Sequence, residues 1–197
     1  MMTPRALVLR APLLSILAAL ALSGCSAEKL YTVPNPTPAQ ATANRIAIAY
    51  GTVEVQDVSL PDYASSQSIA MRGPDGSVTA AKKLLWADLP TRAVTLELSR
   101  YLRQITGAEV APSPWPFLDR AQVRVDVRVE QMLAEADGTF RLSGQYFIAP
   151  ETGARGRSAL FDVVVPIGGD GDATAIAAAR GQAMLQLAEK MARDGLR

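Results

Sequence analysis

The sequence contains no histidine and only one cysteine, Cys25. Without histidine there is no Ser-His-Asp or Cys-His catalysis, and no histidine-ligated metal. One cysteine cannot close an internal disulfide or build a thiolate cage. A surplus of either charge is also lacking: 20 Lys and Arg face 19 Asp and Glu, a formal net charge of +1. That balance offers no electrostatic footprint for nucleic acid. The most apolar stretch, residues 11–22, falls short of the roughly 20 residues that a membrane-spanning helix needs.

Nucleotide and metal loops are missing too. Gly168-Gly169-Asp170-Gly171-Asp172 sits between an expected strand and helix, but the glycine fingerprint ends in Thr174 and no Lys-Ser or Lys-Thr follows. Its two aspartates would repel phosphate. An EF-hand fails at Ala175 and Gly181, the sixth and twelfth positions. The stretch reads as a turn with Asp172 capping a helix. Ser26-Ala27-Glu28-Lys29 fits a Ser-x-x-Lys pattern. It lies in a stretch that reads as a tether, where a nucleophile has no rigid pocket. No cofactor, metal or catalytic residue is expected, and the chain is read as non-enzymatic.

What is present explains the lone cysteine. Arg5 and Arg10 form a positive n-region, residues 11–22 an apolar h-region, and Leu22-Ser23-Gly24-Cys25 a bacterial lipobox. Residues 1–24 are therefore expected to be a signal peptide, with lipid on Cys25. Two or more acyl chains anchor stably where one does not. Ser26, in place of aspartate, favours sorting to the outer membrane, facing the periplasm. Residues 25–44, with Pro34, Pro36 and Pro38, read as a tether. Extended at about 3.1 Å per residue, it could lift the domain tens of Å. An arm packed on the domain is the alternative.

Residues 45–197 read as one domain. Ile46, Ile48 and Tyr50 alternate, and residues 67–72 and 77–81 flank Gly73-Pro74-Asp75-Gly76 as a hairpin. Residues 88–106 form a helix, capped by Asp88 and ended by Gly107. Its apolar face carries Val94, Leu98, Tyr101, Leu102 and Ile105. Three alternating prolines exclude regular structure over residues 111–117. Val123, Val125, Val127 and Val129 alternate with Arg124, Asp126, Arg128 and Glu130, so one face is buried and the charges pair across strands. After the Asp137-Gly138 turn, residues 140–148 continue the alternation. Residues 160–167 are apolar on both faces and read as a central strand. Residues 172–193 form a second helix, ended by Gly195. The order predicts an α+β fold, with a mostly antiparallel or mixed sheet and two helices on one face.

Trp115 and Phe117 have two open readings. A proline-stiffened loop presenting aromatics loses little entropy on docking. Alternatively, both rings fold back as a plug on the sheet edge. Trp86 reads as core.

Several short motifs occur together in order. They are the lipobox, Tyr31-Thr32-Val33-Pro34, the turn Val58-Ser59-Leu60-Pro61-Asp62-Tyr63, Trp86-Ala87-Asp88, the valine strand, the Gly138 turn and the strand after it. This arrangement resembles the ABC-type transport auxiliary lipoproteins. It departs from the family pattern at Ala64 and at Asp88-Leu89-Pro90. The resemblance implies lipid traffic across the Gram-negative envelope. The implied partners are a protein with MCE (mammalian cell entry) domains and an inner-membrane ABC transporter or permease. It implies envelope maintenance and no catalytic residues. A homo-oligomeric ring would match the symmetry of a tubular MCE assembly. Leu60 and Tyr63 join Trp115 and Phe117 as candidate partner contacts. The alternatives are a structural or assembly lipoprotein that binds an outer-membrane protein or peptidoglycan, and a hydrolase with two convergent carboxylates.

Overall fold

Alternation of valine with charged residues builds the strand around which the sheet is arranged. The computed structural model describes residues 28–34, 45–153 and 155–197. The signal segment, Cys25 and most of the expected tether lie outside the described residues. The chain runs β1 (Lys29–Tyr31), β2 (Thr52–Val55), α1 (Asp62–Ser65), β3 (Ser68–Arg72), β4 (Val78–Trp86), α2 (Pro90–Thr106), β5 (Glu109–Pro112), β6 (Val123–Ala134), β7 (Thr139–Pro150), β8 (Arg157–Pro166) and α3 (Ala173–Lys190). One π-helical turn, Met191–Gly195, closes it.

The fold is α+β with a single mixed sheet, as expected. β6 pairs antiparallel with β7, and β7 with β8. The other edge of β6 serves two partners. Val123–Val125 lie beside β2 in parallel, whereas Ala134 lies beside Met71 of β3. β5 flanks β2, and β4 and then β1 extend from β3. Val123, Val125 and Val127 are at most 1% exposed, while Arg124, Arg128 and Glu130 are exposed. Between the two stations the pairing of β6 with β7 shifts by one residue at Glu130. Such a bulge bends its strand and sharpens the twist. Gly144 permits it. A Cβ there would sit on the Arg128 carbonyl oxygen and 2.9 Å from Val129 Cα.

Both helices pack over this sheet in one core, with Val94, Leu98 and Leu102 of α2 and Ile176, Met184 and Leu187 of α3 buried. The cap of α2 falls one residue later than the sequence indicates, at Leu89. The Asp88 carboxylate instead accepts from the Leu89 N–H at 2.8 Å and pairs with Arg92. Gly107 ends α2 with φ 72°, and its N–H donates to the Arg103 carbonyl. Asp172 caps α3 by accepting from the Ala175 N–H at 2.8 Å.

Three expectations need correction. Ala111 and Pro112 belong to β5, because an edge strand tolerates proline at its end. β8 is an edge strand and not a central one. Phe161, Val163 and Val165 face the core, and Leu160 and Val164 face solvent. The charges of β6 pair across strands only in part: Arg124 reaches Glu151, just past the end of β7, but Asp126 pairs with Arg128 on its own strand. Residues 29–34 take the alternative reading of a packed arm. Lys29–Tyr31 form β1 on β4, and the Ala87 N–H donates to the Tyr31 carbonyl. Val33 then passes so close to α3 that a Cβ on Gly181 would lie 2.8 Å from its Cγ1.

Under this arm lies a buried ion pair that joins the helices. The Arg180 side chain is 1% exposed, and its Nη2 donates to Glu97 Oε1 at 3.0 Å. Its guanidinium stacks 4.5 Å over the Trp86 ring, which is itself core. Burial pushes the Glu97 carboxyl above its ordinary value, against the pull of Arg180 and Arg100. Burial also lowers Arg180, but a guanidinium stays protonated.

The folded chain holds the Glu97 proton more tightly than the unfolded chain does. Stability contributed by this group therefore falls as pH rises from its ordinary 4.5 through the raised value. Relative to Glu97→Gln, the wild type is expected to lose stability with rising pH across that window in urea titrations. A relative gain would contradict the assignment.

Candidate functional site

The loop between β5 and β6 divides into a fixed base and a presented tip. It leaves β5 through the Ser113 N–H, which donates to the Val55 carbonyl, and passes a cis Ser113–Pro114 bond. The Trp115 N–H donates to Glu54 Oε1 at 3.1 Å. The indole Nε1 donates to the Asp119 carbonyl at 2.6 Å, closing the loop on itself. Phe117 meets Trp115 edge to face, with centroids 5.0 Å apart. Ala121 is buried, and the chain enters β6.

The two readings of this loop thus separate by residue. Trp115 is half-buried and braces the turn. Phe117 is 51% exposed and Leu118 fully exposed. Beside this apolar tip, Arg120 and Arg124 approach the two oxygens of Glu151 at 2.7 and 3.5 Å. The Arg120 hydrogen bond holds the Glu151 carboxyl below the usual carboxylate range. A hollow of about 320 Å³ lies between Trp115, Phe117, Arg120, Arg124, Glu54 and Glu151. An exposed aromatic and leucine beside two arginines, on a loop whose shape is already fixed, is a surface suited to docking. Its charged rim would serve orientation more than affinity.

Leu60 and Tyr63 lie elsewhere. Both are half-buried and pack against the core. The Tyr63 hydroxyl accepts from the Met132 N–H at 3.3 Å, bracing α1 against the bulged part of β6. Met132 and Val123 stand nine residues apart on β6, roughly 25–30 Å along a strand. The structure therefore brings Trp115 and Phe117 together and sets Tyr63 far along β6 from them, with Leu60 beside the Ser59–Arg128 bridge in the middle of that strand. The sequence reading missed Leu118, although an apolar residue in a stretch without strand or helix period was its signal. It also missed the convergence of Arg120 and Arg124 on Glu151, which depends on the register of β6 against β7.

Among the described residues, no helix is long and apolar enough to cross a membrane. Two solved structures share the architecture. One is an uncharacterised protein, 18% identical, with a TM-score of 0.68, matched over 85% of this chain and 97% of its own. The other is a Xanthomonas campestris protein of the DUF330 family, 17% identical, with a TM-score of 0.57 over 83% of this chain and 90% of its own. At such identities the likeness concerns the fold. No curated protein matches the sequence. The family model for the ABC-type transport auxiliary lipoprotein component matches residues 31–192. The chain belongs to that family, a class of membrane-anchored lipoproteins associated with ABC-type transport.

Leu118→Ala should leave stability within about 0.5 kcal/mol of wild type, because that side chain is fully exposed, whereas Phe117→Ala should cost about 0.5–1.5 kcal/mol for its contact with the Trp115 ring. Trp115→Ala should cost more, since it removes the indole bond and the ring contact. Thermal unfolding of the three variants checks the division.

Proposed function

We propose that this chain is a non-enzymatic outer-membrane lipoprotein, an accessory subunit of an MCE-domain, ABC-type lipid transport system that maintains the envelope. The observation that carries this reading is the family match over residues 31–192, joined to the lipobox that ends in Cys25. Ser26 supports the outer-membrane address, and the partners would be the MCE-domain protein and its inner-membrane transporter.

The packed arm changes the expected geometry at the membrane. Cys25 precedes Lys29 by four residues, which span at most about 14 Å when fully extended. A lipid on Cys25 would therefore hold the β1 edge close to the bilayer, and not tens of Å above it. Lys29 and Leu30 are exposed on that edge. The apolar tip at Phe117 and Leu118 is the surface assigned to the transporter partner.

Isolation of the native lipidated protein from membranes in mild detergent, followed by mass spectrometry, is expected to recover an MCE-domain protein with its permease or ATPase. Recovery of peptidoglycan-associated or barrel proteins alone, even after cross-linking, would move the reading to a structural lipoprotein.

A further inference from the structure

An open hollow of about 590 Å³ is lined by residues 31–34 of the N-terminal arm and by Trp86, Leu96, Glu97, Arg100 and Arg180. Two of its charged side chains are buried. Arg180 is 1% exposed and Glu97 7% exposed. One contact joins them, from Arg180 Nη2 to Glu97 Oε1. Arg180 Nε, Arg100 Nε and Nη2, and Glu97 Oε2 are also buried, and among the described residues none has a hydrogen-bond partner. Buried polar atoms in folded proteins are overwhelmingly paired, so four orphans on the walls of one cavity call for a ligand.

The donor set defines its chemistry. Guanidinium N–H groups bind oxyanions, carboxylate and phosphate alike, and two of them together can engage the several oxygens of a phosphate. Glu97 Oε2 can only accept while ionised, and an ammonium is its natural complement. Asp88 also lines the cavity, but its carboxylate is engaged by the Leu89 N–H and Arg92. Two arginines against one glutamate disfavour a simple cation. A simple oxyanion would leave Glu97 Oε2 unpaired.

We propose that this cavity binds a small zwitterion bearing a phosphate and a primary amine, as in the phosphoethanolamine group. The phosphate lies against Arg100 and Arg180, and the amine against Glu97 Oε2. The same group occurs free in solution and as a lipid headgroup. The proposal stands on the cavity alone and is independent of the transport assignment.

The test is calorimetric titration of the mature lipidated protein in nonionic detergent. The probes are phosphoethanolamine, dihexanoyl phosphatidylethanolamine, inorganic phosphate and ethanolamine. At least one of the two phosphate–amine probes should bind about tenfold or more tightly than phosphate or ethanolamine. Preference for the diacyl probe assigns the site to a lipid headgroup, and preference for phosphoethanolamine to a soluble metabolite. Arg100→Gln should weaken binding about tenfold or more in a variant that still unfolds cooperatively. Leu96→Trp, at a partly exposed rim position, should block entry without touching the charges. Equal binding of phosphate alone, no binding of either phosphate–amine probe, or wild-type affinity in a folded Leu96→Trp variant would overturn the proposal.

Discussion

The edge of β6 that faces away from β7 has to serve two different neighbours. Its first residues take β2 in parallel, Ser59 bridges to Arg128 in the middle, and Ala134 takes Met71 of β3. A flat strand would present that edge to a single partner. The bulge at Glu130 bends β6 between the two stations, and Gly144 allows β7 to follow closely. The β2–β5 pair and the β3–β4–β1 wing therefore leave β6 at different points. The Trp115 loop grows from the first wing, between β5 and β6. The arm that begins four residues after Cys25 adds to the second.

The second wing is fastened by charge as well as by hydrogen bonds. Arg180 reaches from α3 to Glu97 of α2 and stacks on Trp86 at the end of β4. Tyr31 pairs with Trp86 across β1 and β4, so the arm continues from the same point. Removing one member of such a pair leaves an uncompensated buried charge and costs about 3–5 kcal/mol. Replacing both with apolar residues can be neutral, so fold stability alone is a weak reason for keeping the pair. The orphan atoms around it give a reason in binding.

Residues with a strong local period were legible in the sequence. The valines of β6, the apolar face of α2, the Asp172 cap and the Gly107 stop follow from spacing and backbone chemistry. β8 misled because Leu160 and Val164 make both its faces apolar, and a buried strand and an edge strand with an apolar outer face have the same pattern. β1 has three residues and no period of its own; only its pairing with Leu84, Leu85 and Trp86 defines it. The buried pair was missed although its signal was present. Glu97 falls between Val94 and Tyr101 on the inward face of α2, and Arg180 between Ile176 and Met184 on that of α3. A charge at an inward helical position has to meet a partner. The base of the Trp115 loop was invisible, because Glu54 of β2 and Glu151 just past β7 reach it from distant parts of the chain.

In the proposed role, lipid on Cys25 would hold the domain close to the membrane, and the braced loop would present Phe117 and Leu118 to the transporter. A photoreactive amino acid placed at Leu118 and irradiated in intact cells tests that contact in place, with the lipid anchor and envelope undisturbed. The account predicts an adduct with an MCE-domain protein, absent when the probe is moved to exposed Val78 on the opposite wing. Adducts only with barrel or peptidoglycan-binding proteins, or equal adducts from both positions, would contradict it.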